Sequence, residues 1–242
     1  MPLWADTLAA LRGAERWLLP AECRLCGRSV TAWPDDPLIC PLCRSRWAPV
    51  PEPVCHRCGQ PRDGDLECRI CTDWPAGFFG VRSAVWLSGT ARDAVHSLKY
   101  SGWWRAAQGM APAMTRLEPL SADSVLVPIP LGSARRRERG YNQSAELAGA
   151  LGRLVSLPVR EDLLQRTRDT ARQTGLAPDA RRANLDGAFV GRAWGSRRPV
   201  LVDDVFTTGA TLVSAAKALL AAGVHEVSAV TFARAVRPLE DV

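Results

Sequence analysis

A chain of 242 residues is long for one domain and comfortable for a small module attached to a core-bearing one. Hydrophobic content of 47% is ordinary for a globular protein, and no run approaches the roughly 18 apolar residues of a membrane span. The formal charge of +6 is uneven: residues 1–75 carry 9 Arg against 10 Asp and Glu, residues 76–242 carry 22 Lys and Arg against 15, so an anionic ligand belongs with the second stretch.

Residues 1–20 read as a short N-terminal helix, with Trp4, Leu8, Leu11, Trp17 and Leu18 forming a face that docks on the rest of the protein. Asp6, Arg12, Glu15 and Arg16 interrupt it and break any signal-peptide core. All 8 cysteines follow in four C-x-x-C pairs: Cys23/Cys26, Cys40/Cys43, Cys55/Cys58 and Cys68/Cys71. The first two pairs are 13 residues apart and the last two 9. Each pair places two thiolates on one knuckle, and two knuckles complete a tetrahedral Cys₄ site, so eight ligands fit two structural Zn²⁺ ions. Pairing in chain order is the simplest reading; a cross-braced pairing meets the same spacing. A disulfide scaffold would call for a secretory signal, and a thiol exchange has no need of four pairs. His56, inside the third knuckle, is a bystander because the fourth thiolate is already present. Residues 21–75 are therefore expected to form a double zinc ribbon, whose metal contributes on the order of 10–16 kcal/mol per site in small zinc peptides. Thiols kept for metal point to the cytoplasm.

From residue 76 the pattern turns to alternating strands and helices. Strands are expected at Ala84–Leu87, Val125–Ile129, Ala188–Val190, Val200–Val202 and Val227–Phe232. Helices are expected at Thr90–Tyr100, with Ala91, Ala94, Val95 and Leu98 on one face, and at Trp103–Met114, Ser144–Leu154 and Leu212–Ala222. Such alternation implies a mostly parallel sheet with right-handed crossovers, flanked by helices.

Five segments carry candidate chemistry. Lys99, in the helix end His96–Gly102, is one of only two lysines, the other being Lys217. It serves either as a point charge toward phosphate or as a solvated lysine favoured by the helix dipole. Val127–Leu131 ends a strand in two prolines, so the amides near Leu131 and Gly132 are the available donors. Next, Arg135, Arg136, Arg137 and Arg139 make either an anion platform, with Tyr141 for base stacking, or a plain exposed loop. Trp103 and Trp104 fit a helix core as well as a stacking surface. The polar stretch from Arg166 and Thr167 through Arg168, Gln173, Arg181 and Asn184 has the length of a lid that could exclude water.

The fifth segment, Val200–Thr211, is the most specific. A buried β-branched run delivers Asp203 and Asp204, whose carboxylates can accept from ribose hydroxyls and help hold a divalent cation. Thr207, Thr208, Gly209, Ala210 and Thr211 follow, giving hydroxyls and open backbone N–H groups ahead of a helix N-terminus that suits phosphate. No G-x-x-x-x-G-K-S/T occurs, which excludes a P-loop.

That segment resembles the phosphoribosyl-pyrophosphate (PRPP) signature of type I phosphoribosyltransferases. With the cysteine pairs, H-x-L-K-Y-x-G at His96, V-P-I-P at Val127 and R-x-R-G-Y-N-Q at Arg137, nearly the whole chain resembles the ComF family. The resemblance implies an α/β type I phosphoribosyltransferase-like domain over residues 76–242, behind the double zinc ribbon of residues 21–75. It implies PRPP bound with Mg²⁺, Asp203 and Asp204 on the ribose, Thr207–Thr211 on the 5′-phosphate, and Lys99, Arg137 and Arg139 on pyrophosphate. It also implies cytoplasmic handling of single-stranded DNA, with DNA-uptake proteins as partners. A non-catalytic DNA adaptor and a PRPP- or nucleotide-sensing regulator are the other readings, and the acceptor is not legible.

Overall fold

The computed structural model describes residues 22–30, 38–62, 68–167, 187–192, 195 and 197–235. The helix expected over residues 1–20 and the lid residues Arg168, Gln173, Arg181 and Asn184 lie outside the described residues.

Among the described residues the cysteine-rich region holds one short helix, α1 (Pro41–Ser45), capped by the Cys40 thiol, which accepts from the Cys43 N–H. The rest alternates as β1 (Phe78–Trp86), α2 (Gly89–Tyr100), α3 (Ala106–Met110), β2 (Ser124–Pro128), α4 (Ser133–Arg139), α5 (Gln143–Val155), β3 (Leu164–Arg166), β4 (Phe189–Gly191), β5 (Arg198–Phe206), α6 (Ala210–Ala221) and β6 (Val227–Arg234). Four strands form a parallel sheet in the order β1-β6-β5-β2, and β3 and β4 make a separate antiparallel pair. The α/β architecture is the expected one.

Alternation along the strands builds two cores, because successive side chains point to opposite faces. Val200, Val202, Val230 and Phe232 pack with α2, α3 and α5. Leu201, Val227 and Ala229 pack on the other face with α6 and Phe189 of β4. In α2, Ala91, Ala94, Val95 and Leu98 are the buried residues, as their spacing predicts. The expected helix Trp103–Met114 is instead α3 followed by a 3₁₀ turn over Ala111–Met114. Pro112 lacks the N–H that would continue the α-helical ladder. The arginine segment expected as a loop is the helix α4, ended by Gly140 at φ 82°.

The two ribbons sit on opposite faces. Cys23, Cys40, Cys43 and Trp47 join the core of α2 and α5, with Trp47 edge-on to Phe232 at 4.9 Å. The Thr90 hydroxyl, in the first turn of α2, donates to Cys43 O at 3.0 Å. Cys55, Cys58 and Cys71 join the other core with Trp74 and Phe78. Edge strand β1 donates from Trp86 N to Ala48 O at 2.8 Å and from Val81 N to Arg57 O at 2.7 Å, so both ribbon segments hydrogen-bond to it.

Candidate functional site

A cleft of about 870 Å³ opens beyond the C-terminal ends of β2 and β5, where parallel sheets present their ligands. Lys99, Ile129–Leu131, Asp203–Val205, Thr207 and Thr211 line it, so three of the segments singled out in the sequence converge there. The carboxylates lie inside β5 rather than past its end, and Asp203 is in register with Thr231 of β6.

Lys99 Nζ lies 2.5 Å from Asp204 Oδ2, and the Asp204 side chain is only 3% exposed. Asp203 Oδ1 accepts from the Ser144 hydroxyl at 2.7 Å and from the Asp204 N–H at 2.9 Å. Ser144 is set in place by Asn142, whose side chain accepts from Ser144 N at 3.1 Å and donates to Ile129 O at 3.0 Å. One asparagine thus starts α5 and steadies the turn after β2.

The electrostatics split the two carboxylates. Burial, then the charge of Asp204, pushes the Asp203 carboxyl up to about 7 against the pull of Lys99 and Ser144. Burial also works to raise Asp204, but the Lys99 ammonium, aided by the Asp203 hydrogen bond and the Arg139 charge, holds that carboxyl below the usual range. Burial opposes the Lys99 charge in turn, and Asp204 overcomes it, so the lysine stays protonated. The site therefore carries a fixed ion pair beside a carboxyl poised near neutrality.

Behind β5 the chain turns sharply into α6. Gly209 caps that helix at φ 78°, a left-handed conformation that suits a residue without Cβ. A Cβ there would meet Phe206 Cε2 at 2.9 Å and Trp74 Cζ2 at 3.1 Å, so the turn rests directly on two aromatic rings. Thr207 and Thr211 reach the cleft, while Thr208, Gly209 and Ala210 complete the turn, with Ala210 N donating to Thr208 Oγ1 at 3.5 Å.

Helix α4 sorts the arginines. Arg135 and Arg139 line the cleft, whereas Arg136 and Arg137 are exposed and outside its lining. Arg139 donates to Gln143 Oε1, and its guanidinium lies 5.5 Å from the centroid of the Tyr100 ring. The aromatic on the cleft is Tyr100, 69% exposed, not Tyr141. Tyr141 donates its hydroxyl to Leu98 O at 2.5 Å and packs against the core. The available signal for Tyr100 was its place off the buried face of α2, next to Lys99. Trp103 packs on the core beneath the Arg24 guanidinium, 3.9 Å from its ring, while Trp104 is partly exposed.

The eight thiols form two sets in chain order, Cys23/Cys26/Cys40/Cys43 and Cys55/Cys58/Cys68/Cys71, each with its ligand atoms within 4.8 Å of one another. Sulfur–sulfur distances of 3.8 and 3.7 Å in the first set and 3.7 and 3.4 Å in the second match a tetrahedron with Zn–S of about 2.3 Å, whose edges are about 3.8 Å. Both sets fit structural zinc. Burial raises the Cys55 thiol, but hydrogen bonds, led by the Cys58 and Arg57 N–H groups, lower it to about 6, whereas burial and the neighbouring thiols push Cys58 and Cys71 up. Among the described residues no helix is long and apolar enough to cross a membrane.

Comparison with known proteins agrees with these features. The family described as Double zinc ribbon domain matches residues 14–72. Competence protein F of Haemophilus influenzae is 37% identical over 124 residues, which span 50% of this chain and 54% of that protein. DNA utilization protein YhgH of Escherichia coli is 30% identical over 194 residues, 76% of this chain and 85% of its own length. Competence protein ComFC of Bacillus subtilis is 27% identical over 202 residues, covering 78% and 80% respectively.

Proposed function

The chain belongs to the ComF family, and from that premise we propose that it is a PRPP-binding, phosphoribosyltransferase-like protein that acts in the handling of DNA taken up by the cell. The observation that carries the reading is the cluster Lys99–Asp204–Asp203–Ser144 beside the Thr207–Thr211 turn, at the mouth of a parallel sheet. Each part answers a portion of PRPP. The α6 N-terminus and its threonines suit the 5′-phosphate. Asp203 and Asp204 suit the ribose hydroxyls. Lys99, Arg139 and Arg135 supply cationic charge for pyrophosphate, and Arg137, anticipated in that role, sits on the solvent side of α4. Mg²⁺ would arrive with the pyrophosphate, as a hard cation that keeps several waters and needs only one or two carboxylates.

In a transferase reaction the bond from ribose C1 to pyrophosphate breaks and a nucleophile adds at C1. Negative charge from Asp204 would steady the positive charge that develops on the sugar, while the cations receive the leaving group. Isothermal titration of zinc-loaded protein with PRPP and Mg²⁺ tests the reading. Micromolar binding that disappears in Asp203→Asn/Asp204→Asn is expected; a folded wild type that binds no PRPP overturns it. A single-strand DNA adaptor is the second reading, favoured by the exposed Tyr100 and Trp104 rings. It predicts DNA binding indifferent to PRPP, weakening with salt at a slope of about 0.7 per phosphate neutralised.

A further inference from the structure

Arg234, the last residue of β6, is 1% exposed. Its Nη1 donates to Cys58 O at 2.7 Å, and its Nε and Nη2 donate to Gln60 Oε1 at 3.2 and 2.9 Å. Among the described residues no carboxylate pairs with it. A buried guanidinium satisfied only by neutral oxygens is strongly unfavourable unless a negative charge lies nearby. Cys58, whose carbonyl accepts one of those bonds, belongs to the second Cys₄ set. Four thiolates outweigh one dication, so a zinc-loaded second ribbon is a net anion beside this cation.

The other side of the guanidinium faces the candidate site. Its carbon lies 4.2 Å from the centroid of the Phe206 ring. Arg234 and Phe206 are register partners across β6 and β5, and Ala235 N donates to Phe206 O at 2.9 Å. Phe206 is the residue before Thr207, and its ring is the surface on which Gly209 rests. A short line of contacts therefore runs from the second Cys₄ set, through Arg234 and Phe206, to the turn that opens α6.

We propose that Arg234 is the counter-ion of the second zinc–thiolate centre and, through Phe206, the positioning residue for the Thr207–Thr211 turn. Loading of the second ribbon then governs how well that turn holds a phosphate. The first half of the inference stands on the ribbon alone; the second half rests on the PRPP reading.

Full-length protein loaded with NMR-active cadmium gives one resonance per ribbon. Arg234→Met is expected to move one resonance and leave the other, and to weaken retention of that ion against a chelator by about 10–100-fold, as loss of outer-shell partners does. Arg234→Lys, which keeps the charge, is expected to restore most of that retention. In fully metal-loaded Arg234→Met, PRPP with Mg²⁺ is expected to bind about tenfold more weakly, the effect of a misplaced anchor. Unchanged resonances and retention overturn the counter-ion assignment. Altered retention with unchanged PRPP affinity overturns the link to the turn. A wild type that ignores PRPP sinks the phosphoribosyl reading and with it the second half, while the cadmium measurement still decides the first. Should Arg234→Met not fold, Gln60→Ala removes the acceptor of two guanidinium bonds and is read by the same two measurements, with the same signs and smaller size.

Discussion

Asp203→Asn should make the protein more stable near pH 8 while abolishing PRPP binding. The wild-type carboxyl is raised from 3.8 to about 7, first by burial and then by the neighbouring Asp204 charge. A carboxyl of this kind holds its proton more tightly folded than unfolded. Stability is therefore lost as pH rises from the ordinary carboxylate range through about 7. At 1.36 kcal/mol per pKa unit the full loss would be about 4 kcal/mol. Half that is the sounder expectation, because Asp203 is partly open to the cleft and titrates together with Asp204. Asparagine keeps an acceptor for the Ser144 hydroxyl and the Asp204 N–H and carries no charge. The gain at pH 8 is then about 2 kcal/mol, or roughly 4–8 °C in melting temperature for a chain of this size. Calorimetry of zinc-loaded protein at pH 8 and pH 5.5 measures it, and the gain should fall by about half at the lower pH. A variant that melts lower than wild type at pH 8, or whose advantage does not change with pH, would refute the electrostatic account of this site.

Three other outcomes follow from the same geometry. Lys99→Met leaves the Asp204 carboxylate buried without its ammonium and should cost about 3 kcal/mol by denaturant titration at pH 7. Because Asp204 is held low by Lys99, the stability it confers is lost as pH falls below the carboxylate range, and this acid-side loss should shrink in the variant. Gly209→Ala places a Cβ within 3.1 Å of both Phe206 and Trp74 at a positive φ, and should cost about 2–4 kcal/mol in thermal unfolding together with PRPP affinity. Cys58→Ser should reduce bound zinc from two ions to one by metal analysis; retention of both would refute Cys58 as a ligand.

The parts of this molecule that were legible in its sequence are those whose physics is local. C-x-x-C spacing declares its metal knuckles, and the apolar positions of α2 declare their buried face. The run Val200–Val202 reads as a strand because a parallel strand covered on both faces is apolar over most of its length, and the two carboxylates come only after that run. Strand β1 was recovered only from Ala84 onward. It is an edge strand, and Gly80, Arg82 and Ser83 interrupt its apolar pattern. Helix α4 has no buried residue and hence no periodicity to read. Within the site, the carboxylates, Lys99 and the threonine turn could be singled out, but Ser144 looked only like a helix start. Choosing between Arg135 and Arg137 needed the rotation of α4, and choosing Tyr100 over Tyr141 needed the fold. Arg234 gave no local signal: a charge at a strand end reads as solvated, and its burial comes from the fold, which brings the distant Cys58 carbonyl, Gln60 and Phe206 to it.

Edge strand β1 has one further consequence. An unpaired strand edge is a template for any second chain that can align with it, and proteins that leave one open tend to self-associate. Here the backbone of Ala48 and Arg57 takes up N–H groups of that edge. Both segments belong to ribbons whose shape depends on bound metal. Stripping the metal should therefore release more than two small loops: it should uncover an adhesive border along the sheet. Precipitation, rather than a clean loss of ligand affinity, is the behaviour to expect of a copy that never received its zinc.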